Sequence, residues 1–170
     1  MRMTTGLGIL TGLAFVGEPA NAVTTTSQQF QVQLTIQAEC VIRSTATLNF
    51  GTLGVLGGAG GTTNNDATTT VAVQCTNTTP YDIGLDAGTT SGGSTTTRLL
   101  VGSGSSATVQ YKLYTDPGHA TNWGNTVSTD TVHATGNGAS QSYTIYGRIP
   151  PQTTPAPDTY SDTVTVTVTY

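Results

Sequence analysis

The side chains able to do chemistry are few and scattered. The two histidines, His119 and His133, both fall in a polar, turn-rich stretch. They form no HxH or HExxH pattern, so their spacing suits no metal ion. Serines and aspartates are plentiful enough for a Ser-His-Asp triad, but there is no G-x-S-x-G elbow. The run GSGSS at Gly102–Ser106 reads as a flexible loop. Asp82 and Asp86, four apart, share a face if their segment is a strand, the raw material of a glycosidase carboxylate pair. Solvent-facing or turn residues are the plainer reading of both. Trp123 with Tyr111, Tyr114, Tyr143 and Tyr146 is a candidate sugar-binding shelf; core packing is the plainer alternative. The expectation is therefore no enzyme: no catalytic residue, no metal and no cofactor. Cys40 and Cys75 are the only cysteines. They lack CxxC and zinc-site spacing, and in an exported chain such a pair reads as one disulfide.

Export is itself an expectation from the first residues. Met1-Arg2-Met3 is a short positive start, Gly6–Val16 is apolar apart from Thr11, and Ala20-Asn21-Ala22 is a small-x-small cleavage site. This reads as a signal peptide over residues 1–22, leaving about 148 residues, the length of one domain. The apolar run is too short to span a membrane as a helix. Charged residues are only 8% of the chain and the net charge is −4. Past the leader the basic residues are Arg43, Arg98, Lys112 and Arg148, too few for the basic stripe of a nucleic-acid binder or a polybasic membrane patch.

The elements that must position these residues are strands. Thr dominates, with Gly, Ser, Val and Ala behind it, and the β-branched Thr and Val favour a pleated, half-buried surface; apolar residues are 35% and fall in short alternating runs. Strands are expected at Gln28–Gln37, Ala46–Phe50, Thr69–Cys75, Tyr81–Leu85, Arg98–Val101 and Val109–Leu113, with another from Tyr143 and a last one at Thr163–Tyr170. Gly-, Pro- and Asn-rich turns separate them. Seven or eight short strands of this kind predict an all-β sandwich or barrel.

The first and last strands raise the functional question. In QQFQVQLTIQAEC, Phe30, Val32, Leu34 and Ile36 face one way and Gln31, Gln33, Thr35 and Gln37 the other. The closing SDTVTVTVTY alternates as strictly, with Val164, Val166, Val168 and Tyr170 on one face. Neither carries a Lys, Pro or bulge signal to blunt an exposed edge. Either the two protect each other within one chain, or each is paired across chains. From pattern alone, an ordinary first strand inside its own sandwich is the simpler reading.

The segments ECVIRSTATLNFG, VAVQCTNTTPYDIGLDAG, RLL, VQYKLYTD, NWG and YTIYGRIPPQTTPAPDTYSDTVTVTVTY, in this order, resemble the spore coat protein U domain family. That family includes the pilin subunits of archaic (Csu-type) chaperone–usher pili. One departure is Pro157-Asp158-Thr159, where a Gly before the tyrosine is more usual. The resemblance implies an immunoglobulin-like sandwich lacking its final strand. A periplasmic chaperone fills the gap first, then the N-terminal segment of the next identical subunit, delivered at an outer-membrane usher. It divides the mature chain into a donor segment, 23–38, and a pilin domain, 39–170. Phe30, Val32, Leu34 and Ile36 would be the plugs. The acceptor groove would be bordered by the first strand after Cys40 and by Val164, Val166, Val168 and Tyr170. The implied function is a homopolymeric pilus subunit at the cell surface, serving adhesion and biofilm formation. Alternatives are a minor or tip adhesin subunit, and a self-complemented secreted coat or matrix protein.

Overall fold

The computed structural model describes residues 22–58 and 60–170. The expected leader, residues 1–22, lies outside the described residues except for Ala22. The chain divides into two units, Met1–Thr35 and Ile36–Tyr170. In the described part of the first, 22–35, no residue joins a strand and every residue is exposed.

The second unit holds nine strands among its described residues: β1 Cys40–Thr45, β2 Asn65–Cys75, β3 Pro80–Leu85, β4 Arg98–Gly102, β5 Thr108–Tyr114, β6 Val132–Thr135, β7 Ser140–Ile149, β8 Tyr160–Ser161 and β9 Val166–Thr169. They form an antiparallel six-stranded sheet, β1-β2-β7-β5-β4-β8, and a three-stranded sheet, β6-β3-β9. This is an all-β sandwich, as composition and patterning predict. β5 and the second halves of β2 and β7 bury alternate side chains, because successive residues of a strand point to opposite faces; β3 is buried continuously from Tyr81 to Leu85. The core is Val71 and Val73 of β2, Tyr81, Ile83 and Leu85 of β3, Val109, Tyr111 and Leu113 of β5, and Ile145 and Ile149 of β7. In β7 the inward position between Ile145 and Ile149 is Gly147. A Cβ there would meet Leu48 Cδ2 at 2.5 Å and Phe50 Cζ at 3.0 Å, so the missing side chain lets the Leu48–Phe50 segment lie on β7.

Two side chains tie the sheets together. Trp123, 1% exposed, donates its indole N–H to Ile83 O (2.8 Å). This settles the choice for Trp123 in favour of core packing. Arg98 is fully buried at the start of β4. Its Nε donates to Asp86 O, Nη1 to Thr95 O, and Nη2 to both Leu85 O and Trp123 O, at 2.7–2.9 Å. Burial pushes the guanidinium down from its ordinary value, offset in part by nearby Tyr111, Asp86 and Asp162. Four carbonyls replace the water it has lost, the condition on which a buried charge is tolerable.

Expectation and structure differ at several places. Gln28–Gln37 has the alternation of a strand but no ladder, and Ala46–Phe50 is likewise unladdered. In Gln28–Gln37 the side-chain period is present and a paired backbone is not; Ala46–Phe50 keeps one backbone bond to β2, Ala46 N–H to Thr70 O (3.3 Å). The last strand is laddered only at Val166–Thr169, although exposure alternates from Ser161 to Thr169. β6 lies in the stretch His119–Ser140 that reads as polar turns. Its four residues are too short for a pattern, and only Val132 and Ala134 pack on the core. Asp82 is not solvent-facing. It is 7% exposed and accepts from Thr131 Oγ1 (2.7 Å) and Ser128 N (3.4 Å), with His133 Nδ1 at 3.2 Å. The Thr131 hydroxyl and the His133 contact hold its carboxyl below the usual range against the opposing effect of burial. Asp82 and Asp86 therefore do different jobs: Asp86 accepts from Gly88 N and Thr165 N, both at 2.9 Å, closing the turn after β3.

Candidate functional site

β1 pairs with β2 alone and β9 with β3 alone, so each leaves one edge unladdered. Between those edges lies a groove of about 1240 Å³. One wall runs from Ile42 through Leu48 and Phe50 to Leu56, the other from Thr154 to Val164 and Val166; the floor includes Leu85, Leu100, Val109, Tyr111, Leu113 and Ile145. The groove thus opens straight onto the core. Leu56 N–H donates to Thr154 Oγ1 (2.9 Å) at one end, and β1 approaches β9 toward the other. The walls are therefore antiparallel and joined at their ends. Along their middles, Thr47–Asn49 and Thr163–Val164 belong to no strand. An extended segment with apolar residues at every second position would meet both needs, ladder bonds from its backbone and burial for one face.

Three anchors hold the walls. The Cys40–Cys75 disulfide is formed and sits across a directly opposed pair of β1 and β2. Asp162 accepts from Thr89 N (2.9 Å), Thr90 N (3.1 Å) and the Tyr111 hydroxyl (2.7 Å). Burial pushes this carboxyl up, but the bonds from Tyr111, Thr163 and Thr90 outweigh it and the net shift is downward. Gly88, at φ +80°, makes room, because a Cβ there would overlap the Asp162 carboxylate. The third anchor is Asp158, in the segment that departs from the family pattern. It accepts from Gly104 N, Ser105 N and Ser103 Oγ, each at 2.9 Å, and from its neighbour Thr159 N (2.7 Å). The carboxylate ties the segment before β8 to the Ser103–Ser105 loop after β4. No spacing in the sequence pairs Asp158 with GSGSS, 53 to 55 residues away.

The bonds from Gly104 N and Ser103 Oγ draw the Asp158 carboxyl down to about 2. A depressed carboxylate stabilises the fold above its ordinary value, and that contribution is lost as pH falls through the folded value. The window is thus from the ordinary carboxyl value of 3.8 down to about 2. Protection factors at the Gly104 and Ser105 amides, corrected for intrinsic exchange, should fall as pH is lowered across that window and hold steady above it. Unchanged protection down to pH 2 would count against this anchor.

The sequence-derived residues fall in distinct places. Val164 and Val166 line the groove; Val168 packs on the core outside the lining, and Tyr170 is 60% exposed. Phe30, Val32, Leu34 and Ile36 are 85, 82, 81 and 73% exposed. Four large apolar side chains this open are unusual for a folded monomer. Among the described residues, no group of three His, Cys, Asp or Glu could hold a metal. His119 sits between Tyr114 and Tyr146, edge-on to each, with Asp66 Oδ1 3.8 Å from Nε2.

A family model for the Spore Coat Protein U domain matches residues 26–167. No curated protein matches the chain. Among solved structures, the chain is similar to one in the crystal structure of the CsuC–CsuE chaperone–tip adhesion subunit pre-assembly complex from archaic chaperone–usher Csu pili of Acinetobacter baumannii. The identity is 23% and the TM-score 0.55, over 80% of this chain and 40% of that one. At this identity the likeness speaks to the fold, and this chain spans well under half the length of its match.

Proposed function

Since the chain belongs to the spore coat protein U domain family, we propose that it is a structural pilus subunit that polymerises by donor-strand exchange. The observation that carries this reading is the open groove between Ile42–Leu56 and Thr154–Val166. Ser27–Gln37 is eleven residues, roughly 36 Å when extended. A segment of that length from a neighbouring copy fills the groove from end to end. Its backbone completes the ladders of both walls, and Phe30, Val32, Leu34 and Ile36 enter the core. Burying four such side chains contributes on the order of 6–12 kcal/mol before the costs of ordering and association. A head-to-tail contact that does not close on itself builds a filament. Residues 23–38 act as the donor and 39–170 as the acceptor body.

A subunit with its core open to water needs a cover before assembly. The same groove accommodates a strand from a periplasmic chaperone, exchanged for the donor at an outer-membrane usher. The product is a homopolymeric surface fibre, extracellular, serving adhesion and biofilm formation. Tension along it passes from the donor into the body through Cys40–Cys75, three residues beyond Gln37. The body works by binding and not by catalysis.

Leu34→Asp tests the reading. A carboxylate at a plug position must either be desolvated in an apolar groove or keep the strand out. The variant should bind chaperone through its intact groove and form no fibres by electron microscopy. Fibres of normal length from Leu34→Asp would remove Leu34 from the interface.

A further inference from the structure

β1 has β2 along one edge and the groove along the other. The chain entering β1 stays on the β2 side beyond the strand's first residue. Thr76 N–H donates to Glu39 O (2.9 Å). Glu39 N–H donates to Thr76 Oγ1 (3.1 Å). The Thr76 hydroxyl donates to Gln37 O (3.1 Å), with Glu39 O close by at 3.3 Å. Immediately after, Cys40 is bonded covalently to Cys75. One hydroxyl, accepting once and donating once, thus holds both Gln37 and Glu39 in line with β1.

This arrangement bears on which groove a donor segment can enter. To lie in the groove of its own chain, Ser27–Gln37 would have to reverse and return along the opposite edge of β1. A tight reversal takes about four residues, and those between the segment and Ile42 include Glu39 and Cys40. They are already committed to Thr76 and Cys75 on the edge away from the groove. Reversal breaks the bonds to Gln37 and Glu39; insertion into a second copy breaks none of them.

We propose that Thr76 is a positioning residue that selects against self-complementation, so that the groove of each chain receives the segment of a second copy. The inference rests on the donor-strand reading above and deepens it: the groove accepts any strand of the right pattern, and the Thr76 clamp decides whose strand it is. Polymer is favoured over a closed monomer by a local hydrogen-bonded lead-in, with no contact inside the groove involved.

The test uses the full chain with Thr76→Val, which keeps the branched shape and removes the hydroxyl, and with Thr76→Ser, which keeps the hydroxyl. Purified proteins are resolved into monomer and polymer by size exclusion, and the monomers are probed by limited proteolysis at Gln28–Gln37. Thr76→Val should raise the monomer fraction about fivefold, the equilibrium worth of a net hydrogen bond or slightly more. The segment should be protease-resistant in those monomers, and Thr76→Ser should behave as the wild type. If Thr76→Val polymerises like the wild type, or its extra monomers carry a cleavable segment, or Thr76→Ser matches Thr76→Val, the Thr76 role is overturned while the donor reading stands. Polymer from a chain lacking Val23–Gln37 overturns the donor reading itself, and this inference with it.

Discussion

A chain lacking Val23–Gln37 is expected to keep its sandwich, bind a chaperone and form no fibres at all. The deleted residues include Phe30, Val32 and Leu34, all more than four-fifths exposed, and none of the thirteen buried core residues. Their removal therefore takes no packing from the body. On the donor-strand proposal it removes the four side chains and the backbone that would join one copy to the next. The loss is on the order of 6–12 kcal/mol of burial, against an association cost of at least about 4 kcal/mol, so no weakened fibre should remain. Chaperone binding is the control, since it needs the groove and not the donor. Electron microscopy for fibres and co-purification with a chaperone check the two halves. Fibres from the truncated chain would show that Ser27–Gln37 is not the donor.

Arg98→Met is expected to be the most damaging single substitution in the body, costing on the order of 2–6 kcal/mol, about 1–3 for each of the two buried carbonyls left without a donor. Methionine is close in volume, so little of the loss comes from a cavity. What remains are the carbonyls of Leu85, Asp86, Thr95 and Trp123, all of which lose a donor. The bonds to Leu85 O and Trp123 O are buried and those to Asp86 O and Thr95 O partly so, and the four lie where β3, β4 and the Trp123 segment meet. Stability of a domain is typically about 5–15 kcal/mol, so the variant should unfold at much lower urea. A shift of less than about 1 kcal/mol would mean that water reaches those carbonyls, and Arg98 would not be the staple that its burial indicates.

How much of this was legible beforehand depended on distance along the chain. The strands that read most clearly, Thr69–Cys75, Tyr81–Leu85 and Val109–Leu113, each have a neighbour on both sides and turn their alternating apolar residues into the core. Local alternation suffices there, because the side-chain period of a strand is a property of its own backbone. The disulfide was legible because only two cysteines were available. Arg98 was legible only as the first residue of a short strand. Its four acceptors are backbone carbonyls, which no residue type advertises. Asp82, Asp158 and Asp162 were equally silent, since the amides and hydroxyls they hold lie 46 to 73 residues away. β6 was missed because four residues of V-H-A-T carry too little pattern to outweigh the turns around them.

The sequence by itself determined an all-β chain with strictly alternating strands near both ends, one cystine and no cluster of catalytic type. The motifs from Glu39 to Tyr170 pointed to the family. Alternation, however, says which face of a strand is apolar and nothing about what covers it, because ladder partners are chosen by the rest of the fold. Only the tertiary structure decided that β1 and β9 end on opposite sides of an open groove rather than side by side. It also decided that Ala46–Phe50 and Ser161–Val164 border that groove, and that the lead-in to β1 is held by Thr76 on the far edge. A ladder is a relation between edges distant along the chain, and no local pattern encodes it.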